Sequence, residues 1–326
     1  MDLHCLLAKK RIMNIVIIGQ GAIGLLLYHL INRHKGTINK THYSVSLRPS
    51  YQTKQKQANY QFTNIEGDIS DQELTYADDE AITNADILIF AVKSYQVKQA
   101  VENLRSLFCA KATIALCHNG MGTLEDIAPL LLPTQVVITM LTTHGCLKNS
   151  LLNIVHTGLG QVDLGLAEHV PSNINKTKPP VSDHITTTLT SLLAPAAFHQ
   201  NITEKQWQKL AINCVINPLT ALNNVNNGDI TQKKYHSKIR DILQEVVLVA
   251  KTQKVVLEID ALINIVINVA KATANNSSSM RCDVNEHKKT EIAYINGFVH
   301  HLGQVFNIAT PANSLLYKQI NKLQYS

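Results

Sequence analysis

Asn14-Ile15-Val16-Ile17-Ile18-Gly19-Gln20-Gly21-Ala22-Ile23-Gly24 places four β-branched residues in succession directly before three spaced glycines. A short, continuously apolar β-branched run is the pattern of a parallel strand buried on both faces. The apolar stretch Leu25 to Ile31 that follows reads as a helix. Strand, glycine turn and helix together form the context in which GxGxxG acquires meaning. Gly19 permits the tight turn, Gly21 lets backbone approach a pyrophosphate, and Gly24 allows close packing of helix on strand. The free amides at the start of the helix face the phosphates. All six turn residues, Gly19, Gln20, Gly21, Ala22, Ile23 and Gly24, are therefore candidate cofactor contacts. A glycine-lined turn with no ligand is the alternative.

Further strands extend the doubly wound α/β pattern. Tyr43 to Leu47 is followed by Arg48, and no carboxylate occurs between Gly24 and Arg48. NAD sites place an acid near this point for the ribose hydroxyls, whereas NADP needs a cation for the 2′-phosphate. The pattern favours NADP, with Arg48 as reader and Lys54 or Lys56 as assistants. Asp86 to Val92 is a buried strand ending at Lys93, and Thr113 to Cys117 ends at His118-Asn119-Gly120-Met121-Gly122. Ligands in open α/β sheets bind beyond the carboxyl ends of the strands, so Lys93 and Asn119 are cofactor-side candidates. Asn119-Gly120 is equally a common turn dipeptide. Residues 136–143, 154–157 and 161–165 read as additional strands, and 171–184 as a polar loop bearing prolines.

Beyond about residue 201 the periodicity becomes helical. Thr203 with Gln206 resembles a capping box that opens a helix carrying Lys209, Asn213 and Asn217. Spacing of four puts these three side chains on one face, although Asn is a poor former of helix interiors. One cation and two amides suit a small oxygen-rich ligand; an ordinary wet face is the competing reading. Pro218 is expected to kink or loosen this helix and free a backbone carbonyl for a ligand. Further helices are expected over 235–254, 258–274, 285–306 and 312–323. Asn275-Asn276-Ser277-Ser278-Ser279 lies between two of them, either as a solvated turn or as a carboxylate-binding loop. Glu291 is a lone acid among Ile292, Tyr294, Ile295 and Phe298. It needs a partner if buried, and Lys209 is the natural candidate.

Composition narrows the function. The chain has 326 residues, 45% hydrophobic and 17% charged, with a formal charge of +6. That length suits two domains. The basic residues are scattered without aromatic interleaving, which argues for small anionic ligands over nucleic acid. Six cysteines, Cys5, Cys109, Cys117, Cys146, Cys214 and Cys282, form no CxxC pair and read as reduced thiols of a cytoplasmic protein. No ligand spacing among the fourteen histidines suggests a metal site. No apolar run approaches the roughly 20 residues of a membrane span. Residues 1–12 are expected to lie outside the fold, either as a tail or because Met13 is the natural start. The expected division is a dinucleotide-binding domain over 13–200 and a helical substrate domain over 201–326.

Five stretches carry a resemblance: GQGAIG at 19–24, HNGMGT at 118–123, WQKLAINCVINPLTA at 207–221, NSSSM at 276–280 and TEIAYINGF at 290–298. The chain resembles the 2-dehydropantoate 2-reductase (ketopantoate reductase) family over essentially residues 13–326. The third and fifth stretches are the specific ones. The resemblance implies an N-terminal Rossmann-type sheet, an all-helical C-terminal domain, and reduction of ketopantoate by NADPH in pantothenate biosynthesis. Lys209 falls on the catalytic lysine, and Glu291 on an acid near the nicotinamide and substrate hydroxyl. Asn213, Asn217, Asn227 and the loop Asn276, Ser277, Ser278 and Ser279 match substrate positions. Arg48, Lys93, Asn119 and Gly145 match cofactor positions, with Asn119 able to touch both ligands. The leader 1–12, the connection 34–42 and the loop 171–184 depart from the family pattern. A reductase of another small 2-keto acid would share these features. A non-enzymatic NADP(H) sensor, the rival from another class, would have no need of the Lys209 stripe and Glu291. The expected state is a monomer or homodimer with a keto acid substrate, no nucleic acid and no membrane.

Overall fold

The computed structural model describes residues 12–51, 53–167 and 181–324. Most of the expected 1–12 tail and much of the 171–184 loop lie outside the described residues. In chain order the strands are β1 (Met13–Ile18), β2 (Thr37–Ile38), β3 (Thr41–Arg48), β4 (Gln57–Thr63), β5 (Ile69–Thr75), β6 (Ile87–Phe90), β7 (Thr113–Leu116), β8 (Val136–Thr142), β9 (Gly145–Ser150), β10 (Asn153–Gly158), β11 (Val162–Leu166) and β12 (Ala196–His199). The α-helices are α1 (Ala22–Asn32), α2 (Asp79–Thr83), α3 (Ser94–Leu104), α4 (Thr123–Ile127), α5 (Asp183–Leu192), α6 (Thr203–Asn223), α7 (His236–Thr252), α8 (Ile259–Ala272), α9 (Ser279–Asn285), α10 (Asn296–Val305) and α11 (Pro311–Leu323).

Eight strands form one sheet in the order β12-β11-β8-β7-β6-β1-β3-β2. Its centre, from β3 through β1, β6 and β7 to β8, is parallel. The β-branched run explains the central position of β1. Ile15 and Ile17 enter the apolar cluster on one face of the sheet, while Val16 and Ile18 enter the cluster on the other. Successive side chains of a strand point to opposite faces, so only a strand covered on both sides can bury all four. The fold is therefore a Rossmann-type α/β sheet followed by helices that share a third apolar core around Trp207, Cys214 and Val246.

Beside it lies a second, four-stranded sheet, β5-β4-β10-β9, of which only the strand expected over 154–157, β10, was legible in the sequence. Its β4–β5 hairpin spans residues 57–75, where exposed polar residues hide the alternation. This sheet packs on α1, where His29 stacks on Phe62 with ring centroids 3.6 Å apart. Nearby, His144 Nδ1 lies 3.0 Å from His156 Nε2.

Three local expectations need correction. Thr203 and Gln206 form no capping box: the N-cap of α6 is Ile202, and Asn201 Oδ1 accepts from the Thr203 N–H at 3.0 Å. The stretch 285–306 is not one helix, because α9 ends at Asn285 and α10 starts only at Asn296. Finally, α6 runs unbroken through Pro218. Proline has no N–H for the carbonyl four residues earlier. That carbonyl, of Cys214, instead accepts from the buried Asn296 Nδ2 at 3.0 Å. The freed acceptor joins α6 to α10 and is not open to a ligand.

Candidate active site

The glycine turn leaves β1 at Ile18 and bends back beside β6. Gly19 has φ +114, and a Cβ there would lie 2.6 Å from Ala91 O. At Gly24 a Cβ would lie 2.0 Å from Gly19 O, so the helix could not pack down on the turn. Gly21 differs, since the nearest atom to its Cβ position is Ala91 O at 3.9 Å. The two outer glycines are required by close packing, while the middle one leaves open room above the backbone. Gly21 is the N-cap of α1, and no side chain caps this helix. An uncapped helix start with space over it suits a phosphate group. Gln20 is buried and braced: its Nε2 donates to Leu151 O, and its Oε1 accepts from the Tyr51 hydroxyl.

At the carboxyl end of β3, the Arg48 backbone carbonyl accepts from Gly19 N–H at 2.9 Å. Its guanidinium donates to Ala77 O and pairs with Asp79 at 2.9 Å. Asp79 is 66% exposed, so this is a surface ion pair of small energy that an incoming anion can replace. Lys54 and Lys56 are exposed beside β4.

Glu291 ties the two halves of the chain together. It is 4% exposed, and its carboxylate reaches the start of α3. There Oε1 accepts from the Ser94 N–H at 3.0 Å and the Ser94 hydroxyl at 3.2 Å. A carboxylate at a helix N-terminus satisfies an orphan N–H and complements the helix dipole. Oε2 accepts from Asn119 Nδ2 at 3.1 Å and lies 3.8 Å from Lys93 Nζ. Lys93 donates to Asp283 Oδ2 on α9 at 2.6 Å. Burial opposes the charge on Lys93, but Glu291 and Asp283 outweigh it and hold its pKa above the ordinary lysine value. The turn Asn119-Gly120 is thus more than a reversal. A Cβ at Gly120 would sit 2.2 Å from Tyr294 O, and Met121 N–H donates to that carbonyl at 2.8 Å.

Lys209 does not pair directly with Glu291, contrary to expectation. Its ammonium donates to Thr142 O, the last residue of β8, at 2.9 Å, and it forms no ion pair among the described residues. Burial draws its pKa below the ordinary lysine value, although the Glu291 and Asp163 charges act the other way. Cys117 is also close, but burial pushes its thiol up to about 11, so it is neutral at pH 7. One turn along α6, Asn213 Nδ2 is buried with no hydrogen-bond partner. Asn217, one turn further, is buried. Asn227 N–H donates to Asn276 O at 3.0 Å, and Asn227 Oδ1 is buried without a partner. Ser278 is the N-cap of α9, and its hydroxyl bonds Thr220 of α6 at 2.7 Å. Ser277 and Ser279 are exposed. Gly145 opens β9, where a Cβ would lie 2.8 Å from Thr157 Oγ1.

The site therefore gathers where β1, β3, β6, β7 and β8 end, with α6, α9 and the Glu291 turn brought onto it. Sequence reasoning missed Ser94, Asp283 and the Thr142 carbonyl. Ser94 follows Lys93 at a helix start and could have been read as an orphan N–H; the other two carry no local mark.

Residues 15–169 match the family described as "Ketopantoate reductase PanE/ApbA", and residues 201–324 match its C-terminal counterpart. The 2-dehydropantoate 2-reductase of Vibrio cholerae is 35% identical over 96% of this chain and 99% of its own length. The chain belongs to the ketopantoate reductase family. The fold is likewise that of the family. A dimeric ketopantoate reductase from Staphylococcus aureus matches with a TM-score of 0.75 at 19% identity, covering 95% of this chain and 98% of that one. D-mandelate dehydrogenase, solved with NADH and anilino(oxo)acetate, matches with a TM-score of 0.83 at 21% identity, covering 96% and 98%. Among the described residues no helix is long and apolar enough to cross a membrane, and the cysteines Cys109, Cys117, Cys146, Cys214 and Cys282 are free.

Proposed function

We propose that this member of the ketopantoate reductase family catalyses the NADPH-dependent reduction of 2-dehydropantoate to (R)-pantoate for pantothenate synthesis, as a cytoplasmic monomer or homodimer. In this reading residues 13–200 hold the cofactor and 201–326 hold the substrate. The Gly19–Gly24 turn fits a dinucleotide because of the open space over Gly21 and the uncapped start of α1. Arg48 would read the 2′-phosphate, and Lys93, Asn119 and Gly145 would line the nicotinamide side. NADPH supplies the hydride.

The protein supplies charge and orientation. Reduction of a ketone places negative charge on the carbonyl oxygen, and donors aimed at that oxygen lower the barrier. Lys209 holds its ammonium on the Thr142 carbonyl and, among the described residues, pairs with no carboxylate. It donates a hydrogen bond to the carbonyl oxygen and then delivers the proton. Asn213 and Asn217 fix the hydroxyl and carboxylate ends of the keto acid, which holds the carbonyl in reacting geometry. Asn227 and the loop from Asn276 to Ser279 complete the carboxylate side. Glu291 acts in two ways: it keeps Lys93 and Asn119 oriented, and its negative charge supports the Lys209 ammonium.

The observation that carries this reading is the pair formed by Lys209 and Asn213. A half-buried cation with no counter-ion among the described residues lies one helical turn from a buried amide without a hydrogen-bond partner. Leaving such a donor unsatisfied costs about 1–3 kcal/mol, which a bound oxygen-rich ligand removes. The test is to mix purified protein, NADPH and a panel of 2-keto acids and to follow NADPH absorbance. Turnover is expected with ketopantoate above simpler keto acids. Turnover of a different keto acid instead would replace the substrate, and none with any would remove the enzyme reading.

A further inference from the structure

The positive charges around the glycine turn contain one that neither the fold nor the residues discussed above explain. Lys148 lies on β9, which is exposed over Leu147 to Ser150. An exposed lysine normally extends into water. This one turns back, and its ammonium donates to the Gln20 backbone carbonyl at 2.5 Å, inside the Gly19–Gly24 turn. The acceptor is rigid, because Gln20 is buried and held through both ends of its side chain.

The sign of the charge is wrong for an empty site. The start of a helix carries a partial charge of about +0.5. The first turn of α1 has no acidic residue and no capping side chain to offset it. Lys148 forms no ion pair among the described residues. Lys288, on the turn after α9, is close enough to repel it; burial and that repulsion both lower the Lys148 pKa. Lys288 has its own carboxylate, Glu286, at 2.5 Å, whereas Lys148 has none. The Lys288 charge and the uncapped start of α1 are thus both positive, and Lys148 pairs with no carboxylate among the described residues.

We propose that Lys148 is a diphosphate-binding residue, the ammonium that closes the β9 side of the glycine turn over the two phosphates shared by every nicotinamide dinucleotide. The assignment rests on reading that turn as the cofactor site. An anion there would lie between the amides at the start of α1 and the Lys148 ammonium, and would satisfy both. Because the diphosphate is common to NADPH and NADH, Lys148 contributes affinity without selecting between them. Selection stays with Arg48, at the end of β3.

The test is direct binding, read by nicotinamide fluorescence at several salt concentrations, with wild type, Lys148→Gln and Lys148→Arg. Gln keeps an N–H donor for the Gln20 carbonyl and removes the charge, so a role limited to bracing the turn would survive it. The expected result is a Kd about tenfold weaker for NADPH and for NADH alike in Lys148→Gln, as for loss of one charge-assisted hydrogen bond. Lys148→Arg should restore most of the affinity, and the Gln variant should show a shallower salt dependence. Unchanged affinity in Lys148→Gln overturns the proposal, as does a loss confined to NADPH, which would place Lys148 at the 2′-phosphate. Wild-type protein that binds neither dinucleotide would instead refute the cofactor reading of the turn.

Discussion

Replacing Lys209 by Met removes an ammonium but keeps an unbranched stem of similar length, so packing along α6 is retained. Two consequences can be worked out separately. For the fold, the losses among the described residues are the hydrogen bond to Thr142 O and the attraction of the Glu291 and Asp163 charges. Such a hydrogen bond contributes about 0.5–1.5 kcal/mol. Thr142 is only partly buried, so water can replace the donor. Burial also disfavours the Lys209 charge, as its lowered pKa indicates, and removing that charge offsets part of the loss. The net change in stability should lie within about 1 kcal/mol of zero. For the reaction, the variant loses both the donor to the developing oxyanion and the proton source, a loss of about 10²–10⁴-fold in kcat. That corresponds to about 3–5 kcal/mol of transition-state stabilisation. The assay is steady-state NADPH oxidation with saturating keto acid, paired with urea unfolding of the same preparation. A loss under tenfold in both kcat and kcat/KM would refute the role assigned to Lys209. A rate loss accompanied by unfolding would make it a structural residue instead. In the wild type, kcat should fall at alkaline pH with an inflection below the ordinary lysine value of 10.5.

Two further outcomes are expected. Arg48→Glu should weaken NADPH binding by about tenfold or more, as for a lost charge-assisted contact, and leave NADH little changed; equal losses in calorimetric titrations with both cofactors would separate Arg48 from the 2′-phosphate. Burial holds His29 and His144 down to about 4, against an ordinary 6.5. Between these values the unfolded chain binds more protons than the folded one, so stability is full above pH 6.5 and falls as the pH drops towards 4. Thermal melts across that window should show the decline, roughly 1–3 kcal/mol after allowing for partial solvent access, and His144→Asn should lessen it while the His29 share stays; a melting temperature independent of pH there would contradict the buried-histidine account.

The Rossmann-type half was legible because its features are local. A β-branched run and three spaced glycines occupy eleven consecutive residues, and each glycine answers a steric demand set by its immediate neighbours. Lys209, Asn213 and Asn217 were legible for the same reason, since a period of four on a helix needs no tertiary information. The capping box and the 285–306 helix failed because weak local propensity was overridden by packing. The polar β4–β5 hairpin was invisible because the apolar side of its small sheet is set by contact with α1 rather than by a strict alternation.

What the chain determined by itself was therefore the identity of the groups: a glycine turn between strand and helix, one amine with two amides, one acid among apolar neighbours. Tertiary structure decided their partners. Glu291 bonds Ser94, 197 residues away, and shares Lys93 with Asp283; Lys209 is left to a backbone carbonyl. A local pattern fixes which side chains share a face, but pairing between charges depends on distances of a few ångströms, and those exist only once remote segments pack.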